Sequence, residues 1–301
     1  MNFHAMNRRT FLETAATVAA ATLLSNRLGW AADDHRIEKV GVQLYTVRDQ
    51  MKADFDGSLA KVASIGYKEV EFAGYFGRTP KQVRAALENN GLSSPACHVD
   101  YDLLAPDQWP AQIESAQVIG QSYIVNPWIP EKRRKTDDDW KRAADTFNRA
   151  GEASNKAGIQ FAYHNHWFEF MPLNGVNGKL PYDTLLTRCD AKLVKMELDL
   201  CWITVGGGDP LQYFGRYPGR FPLVHVKDMK KLPSVTAAGS RNLGDSLKDM
   251  TEVGSGIIDW KKIFAQSEKA GIKHYIVEHD KPKAPFDSIR TSYEYLSKLR
   301  W

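Results

Sequence analysis

The stretch Asn155–His166, NKAGIQFAYHNH, decides the fold: a polar helical end stops at Gly158 and continues as an apolar strand that closes on polar residues. The same phrase recurs as AKVASIGYKEVEF (60–72), AALENNGLSSPACHV (85–99), AQVIGQSYIVN (116–126) and SEKAGIKHYIVEH (267–279). Gly66, Gly91, Gly120, Gly158 and Gly271 each fall where a helix end wants a left-handed residue. Helix followed by strand, repeated, specifies parallel strands joined by crossover helices. KVGVQLYT (39–46), LVKMELDL (193–200) and PLVHVKD (222–228) bring the count to roughly eight strands, the number that closes a single α/β (β/α)₈ barrel. An open doubly wound sheet would carry a glycine-rich turn after its first strand, and QLYTVRDQM has none. The least regular segment, Met229 to Gly256, reads as a long loop beside the barrel mouth.

Side chains two apart on a strand share a face. That parity turns Glu69 and Glu71, His164 and His166, Glu197 and Asp199, His225 and Lys227, and Glu278 and Asp280 toward the barrel axis. Acids and imidazoles from separate strands thereby converge at the strands' C-terminal ends, where barrels build active sites. His98, ending PACHV, joins them as a substrate contact or as a histidine bonded to a neighbour. Carboxylates crowded together repel and resist desolvation unless protons or a cation compensate, and a divalent metal on mixed imidazole and carboxylate ligands does so.

The set YHNHWFEF, ELDLCWITVGGGDP, HVKDMKK, EVGSGIIDW and YIVEHD resembles the sugar phosphate isomerase/epimerase superfamily with its xylose isomerase-like TIM barrel. The resemblance covers essentially all of residues 33–301. It implies one divalent ion, manganese first, with cobalt, zinc and magnesium as alternatives. Its ligands would be Asp199, His225, Glu278 and, where many members carry glutamate, His164. In the family's epimerases that glutamate also moves a proton, which a metal-bound imidazole does not do freely. His166, on the same face, is then expected as acid or base alongside Glu278, with Lys227 steadying a developing oxyanion or forming a salt bridge with a mouth carboxylate. Glu71 and Glu197 are expected either to orient a metal-bound histidine or to bind sugar hydroxyls. Trp128 and Trp202, with Trp167 and Phe170, would wall the sugar or pack against loops.

The implied reaction is sugar isomerisation or epimerisation through an enediolate. One alternative is elimination from a 3-keto-glycoside at the same site, a lyase reaction; another is a carbohydrate-binding barrel without catalysis. Nuclease action would need several metals and a basic groove. A formal charge of +4 over 301 residues gives no reason to expect nucleic acid. The expected partner is a small carbohydrate, with a homo-oligomer left open.

Residues 1–32 are expected to be a twin-arginine export signal: Arg8-Arg9-Thr10-Phe11-Leu12, an apolar run from Ala15 to Leu24, then small residues at Ala31 and Ala32. The run is too short to span a bilayer, so no membrane anchor is expected after cleavage, and the location would be periplasmic or otherwise exported. Cys97, Cys189 and Cys201 show no CxxC spacing, and Cys97 and Cys201, in or at the ends of expected strands, read as buried small hydrophobes.

Overall fold

The computed structural model describes residues 35–173, 178–234 and 247–301. The export-signal expectation at 1–32 and the middle of the Met229–Gly256 loop lie outside them. One compact unit spans Ile37–Leu299. The described residues of the other are His35, Arg36, Arg300 and Trp301, among which the Trp301 N–H donates to the His35 carbonyl.

Ten strands are described: β1 (Val40–Gln43), β2 (Glu69–Ala73), β3 (Ala96–His98), β4 (Tyr123–Asn126), β5 (Gln160–His164), β6 (Val194–Asp199), β7 (Leu223–Val226), β8 (Asp228–Met229), β9 (Met250–Thr251) and β10 (His274–Val277). Eight of them close into a parallel barrel in the order β1-β10-β7-β6-β5-β4-β3-β2, as the repeated phrase requires. The five expected helix stops all have positive φ, from 61° at Gly91 to 124° at Gly66. At Gly120 the need is direct, because this left-handed residue returns its N–H to the carbonyls of Ala116 and Gln117 and so ends its helix.

Crossover helices show why the strands stay put. Along Asp137–Lys156 the buried residues Trp140, Ala143, Ala144, Phe147, Ala150, Gly151 and Ser154 form one stripe. Thr136 and Asp139 cap its start reciprocally. Inside the barrel, Ala96, Tyr123, Val125, Ala162, Leu223 and Ile276 form an apolar layer, all on the inward parity of their strands. On β3, β5, β7 and β10 the next inward residues are His98, His164, His225 and Glu278, so the ionisable layer rests on a hydrocarbon plug.

The long loop expected from Met229 to Gly256 carries regular structure at its described ends. Its two ends pair antiparallel as β8 and β9. The Asp228 carboxylate accepts from the backbone N–H of Met229, Gly254, Gly256 and Ile258 and from Trp260 Nε1, which satisfies a buried charge through the returning chain. HVKDMKK and EVGSGIIDW, separate in sequence, are therefore two halves of one clasp. Cys97 and Cys201 are buried as expected, Cys189 is buried as well, and all three are free thiols.

The glycine run Gly206–Gly208 is used sterically. A Cβ on Gly206 would lie 2.6 Å from the Trp167 carbonyl oxygen and 2.8 Å from Phe170 Cβ. Gly206→Ala is therefore expected to destabilise the fold by about 1–3 kcal/mol, read as a lower midpoint in thermal melting. An unchanged melt would show that the segment after β5 gives way instead.

Candidate active site and metal centre

Adjacent registers bring the inward side chains together. His164 lies beside Glu197, Asp199 beside His225, His225 beside Ile276, and Gln43 beside Glu71. The asparagine between the two histidines has its own function. Asn165 Oδ1 accepts from the Asp199 N–H at 2.9 Å, while its Nδ2 reaches the Asp199 and His166 carbonyls. It thereby ties the end of β5 to the end of β6. Asp199 in turn caps the helix Leu200–Gly206, with Oδ1 accepting from the Trp202 N–H at 2.7 Å. Its other oxygen is turned to the barrel interior, 3.8 Å from His164 Nε2.

The ionisable groups form two tiers. In the lower tier, Glu71 Oε2 receives Gln43 Nε2 at 2.9 Å and His225 Nε2 at 2.7 Å. Glu197 Oε2 lies 3.1 Å from His164 Nδ1 and 2.8 Å from His98 Nε2, and that same His98 nitrogen is 3.2 Å from Glu71. In the upper tier, His225 Nδ1 lies 2.9 Å from Glu278 Oε2. Lys227 Nζ is 2.6 Å from Glu278, 2.9 Å from Asp280 and 3.1 Å from Asp199 Oδ2. The contact with Asp199 is an ion pair without hydrogen-bond alignment, for Asp199 Oδ2 has no hydrogen-bond partner.

Each imidazole of this pair is thus held by a carboxylate at one nitrogen and presents the other to Asp199 and Glu278. That is how a carboxylate fixes a histidine's tautomer and its aim. Two groups of donors could hold a metal ion among the described residues: Asp199, His225 and Glu278, and a deeper set of His98, His164, Glu197 and His225. Oδ2 of Asp199 and Oε1 of both Glu71 and Glu197 are buried acceptors with no hydrogen-bond partner, the chemistry expected where a cation can be taken up.

Burial and neighbours push these groups apart. Desolvation raises Glu197, with Glu71 adding to it, to about 7. Burial would also raise Glu71 and Glu278, but His98 and His225 beside the first, and Lys227 and His225 beside the second, carry both well below the usual carboxylate range. Burial disfavours protonated His98, yet Glu71 and Glu197 lift it to about 9. His164 is driven well down by burial and by His225.

His166 stands at the cavity wall, its Nδ1 buried without a hydrogen-bond partner. Its ring stacks on Phe168 at 5.6 Å and meets the Trp128 ring edge-on at 4.9 Å. The buried Glu169 accepts from the His166 N–H at 2.8 Å and from the Tyr163 hydroxyl at 2.6 Å, and burial pushes its carboxyl up to about 7. Desolvation first, then Lys227, lowers the pKa of His166 well below the ordinary histidine value.

A cavity of about 560 Å³ opens over this layer, lined by His98, His164, His166, Lys227, Glu278 and Trp128 among others. Of the expected site residues, Glu71 and Glu197 are fully buried below it and contact histidines, and neither lines the cavity where sugar hydroxyls would be met. Trp202 is 1% exposed and sits behind His166, its ring 6.2 Å away, so it backs the site without lining it. Trp167 packs on Trp202, and Phe170 packs on Tyr182 and Tyr213. Gln43, Asn165 and Tyr45 were not anticipated. Gln43 shares the inward parity of the first strand and Tyr45, two residues on, shares it too, so both were legible on that ground, whereas Asn165 carries no periodic signal.

Among the described residues no helix is long and apolar enough to cross a membrane. The chain is 30% identical over 188 residues to an inosose dehydratase of Lacticaseibacillus casei, a match covering 58% of this chain and 60% of the relative's length. It is 25% identical over 277 residues to an inosose dehydratase of Geobacillus kaustophilus (strain HTA426), covering 81% and 87%. A solved structure described as a sugar phosphate isomerase/epimerase from Parabacteroides distasonis ATCC 8503 superposes with a TM-score of 0.71 at 27% identity, over 89% of this chain and 96% of that one. With a closed eight-stranded barrel and a family profile matching residues 59–299, the chain belongs to the xylose isomerase-like TIM barrel family.

Proposed function

We propose that this protein is a metal-dependent carbohydrate lyase that removes a proton beside a ketone and expels the substituent on the carbon beyond. The observation that carries this reading is the division of labour at the barrel mouth. His164 and His225 are each held by a buried carboxylate with the second nitrogen turned to Asp199 and Glu278, while His166 stands beside them with an unpartnered nitrogen. We assign the metal ligands as His164, Asp199, His225 and Glu278, because His164 and Glu278 line the cavity whereas Glu197 lies sealed beneath it. The donor set suits manganese, cobalt or zinc, and manganese is the first ion to test. When bound, such an ion would supply a Lewis acid to the ketone oxygen and its neighbouring hydroxyl.

His166 takes the proton, being neutral and unencumbered, and as imidazolium it can return that proton to the departing oxygen. Lys227 lies near enough to Glu278 and Asp199 to balance charge as it develops. Elimination is favoured over epimerisation by the state of Glu278. Inverting a centre requires a second group free to deliver a proton from the opposite face, and Glu278 is already engaged by Lys227 at 2.6 Å, by His225 at 2.9 Å and by the metal assigned to it. Relatives named dehydratases, whose reaction is elimination of water, support the same choice. The isomerase description of the Parabacteroides distasonis structure supports the rival expectation.

The test is incubation of the manganese-loaded protein with a 3-keto-glycoside in deuterated water. Release of the alcohol together with an enone absorbing in the ultraviolet is expected. Recovery of an epimerised or deuterated sugar with no alcohol released would make the protein an epimerase. The Arg8-Arg9 pattern adds an exported location to this reading, which N-terminal sequencing of protein recovered from outside the cytoplasm would check.

A further inference from the structure

The cavity is too large for one sugar ring. At the ~30 Å³ that one water occupies in the liquid, and taking each carbon–oxygen unit as about that size, a hexose fills roughly 180 Å³. The cavity is about 560 Å³. Its polar residues come from the strand ends, but its outer wall comes from the loops that follow β1, β2, β3, β4 and β8, with Tyr45, Tyr75, Leu103, Trp128 and Leu247 among the contributors. Four large apolar side chains are exposed among the described residues, and two of them, Tyr45 at 43% and Trp128 at 38%, line this one cavity. Two exposed aromatics bordering one cavity give it an apolar rim above a polar floor, the usual make-up of a small-molecule pocket.

Both rings are held in place before any ligand arrives. Arg48 lies 4.1 Å from the Tyr45 ring centroid, and its Nη1 is anchored to the carbonyls of Tyr45 and Asp280. Arg134 lies 4.2 Å from the Trp128 ring, whose position is further set by edge contacts with His166 and Phe168. Exposed aromatic rings held in position recognise a pyranose or a planar aromatic ring with little ordering cost. The charges do not suit a phosphate. Lys227 is already engaged by three carboxylates, the rim sets Asp100 and Asp280 against Lys281, Arg48 is tied to two backbone carbonyls and Arg134 lies against the Trp128 and Phe168 rings.

We infer that Tyr45 and Trp128 form a leaving-group subsite, and that the substrate is an uncharged two-ring keto-glycoside whose oxidised ring sits over the ionisable layer while its second ring packs against these aromatics. This deepens the lyase reading and rests on it for the reaction, though not for binding. For a 3-keto-glycoside the balance is complete without a redox partner. The C2–H and C1–O bonds break, a C1=C2 double bond forms, and the proton leaves with the departing oxygen as a free alcohol.

The experiment compares a 3-keto-disaccharide with the corresponding methyl 3-keto-glycoside, in the wild type, Tyr45→Ala and Trp128→Phe. In the wild type the disaccharide should be preferred in kcat/KM, chiefly through KM. Tyr45→Ala should shrink that preference ratio by about tenfold, as expected for loss of one aromatic contact and its buried area. Trp128→Phe should shrink it less, and the ratio cancels any shared effect on His166. Calorimetry with the unoxidised disaccharide and the unoxidised methyl glycoside reads binding separately from chemistry. A binding preference for the disaccharide without elimination would sink the lyase reading and keep the subsite. Equal affinity for the two sugars, or a ratio unmoved by Tyr45→Ala, would overturn the subsite whether or not elimination occurs.

Discussion

His166→Ala is expected to slow elimination by about 10²–10⁴-fold while the metal bound per chain stays at the wild-type level. The separation of these two readouts follows from the geometry. His166 is held through its backbone by Glu169 and through its ring by Phe168 and Trp128, none of which belongs to the donor set around Asp199. Its Nδ1 has no partner, and burial together with Lys227 keeps the ring neutral, so the side chain is positioned as a base and has no other hydrogen-bonding duty at that atom. Removing the ring should leave His164, two residues earlier, in place, because His164 is fixed from below by Glu197. His166→Gln, which keeps much of the bulk without a comparable base, should be equally slow. A near-normal rate in either variant would move the base elsewhere, and loss of metal would make His166 a ligand.

The second large effect is expected on metal affinity. Asp199→Asn should weaken manganese binding by more than about 100-fold, beyond the 10–100-fold typical when an outer partner of a ligand is lost, with the fold retained. Oδ1 of Asp199 accepts from the Trp202 N–H at 2.7 Å, and asparagine serves that cap as well as aspartate does. The cap would keep the amide oxygen on the helix and turn the NH₂ group toward His164 and Lys227, where Oδ2 now lies. A donor then faces the ion in place of an acceptor. Competition with a chromophoric chelator at fixed pH measures the change, and circular dichroism checks the fold. Unchanged affinity would place the ion in the deeper set of His98, His164, Glu197 and His225, and Glu197→Gln would then be the variant that releases it.

Much of this site was legible in the sequence, for a reason that applies strand by strand. Parity alone turned His164, Glu197, Asp199, His225, Lys227 and Glu278 inward, and the glycine stops set where each strand begins, hence which tier each side chain reaches. Parity could not say which nitrogen of an imidazole faces the ion. That depends on Glu71, three strands away from His225 in the barrel order, and on Glu197 beside His164. Nor could it separate Trp128 from Trp202, which both follow strand ends. Trp202 lies on a helix capped by Asp199 and turns behind His166, while Trp128 lies on a loop and stays exposed. The Asp228 clasp was hidden for the same kind of reason, because its donors arrive from residues 254–260 with no period linking them to β8.

From its residues alone this chain determined the closed parallel barrel and the face on which its ionisable groups gather, because both follow from local periodicity and from backbone needs that act within a few residues. The tertiary structure alone decided how those groups pair, which carboxylate serves which histidine, and that Tyr45 and Trp128 border one cavity. Those are contacts between strands and loops remote in sequence, where an ångström of displacement separates a hydrogen bond from no interaction.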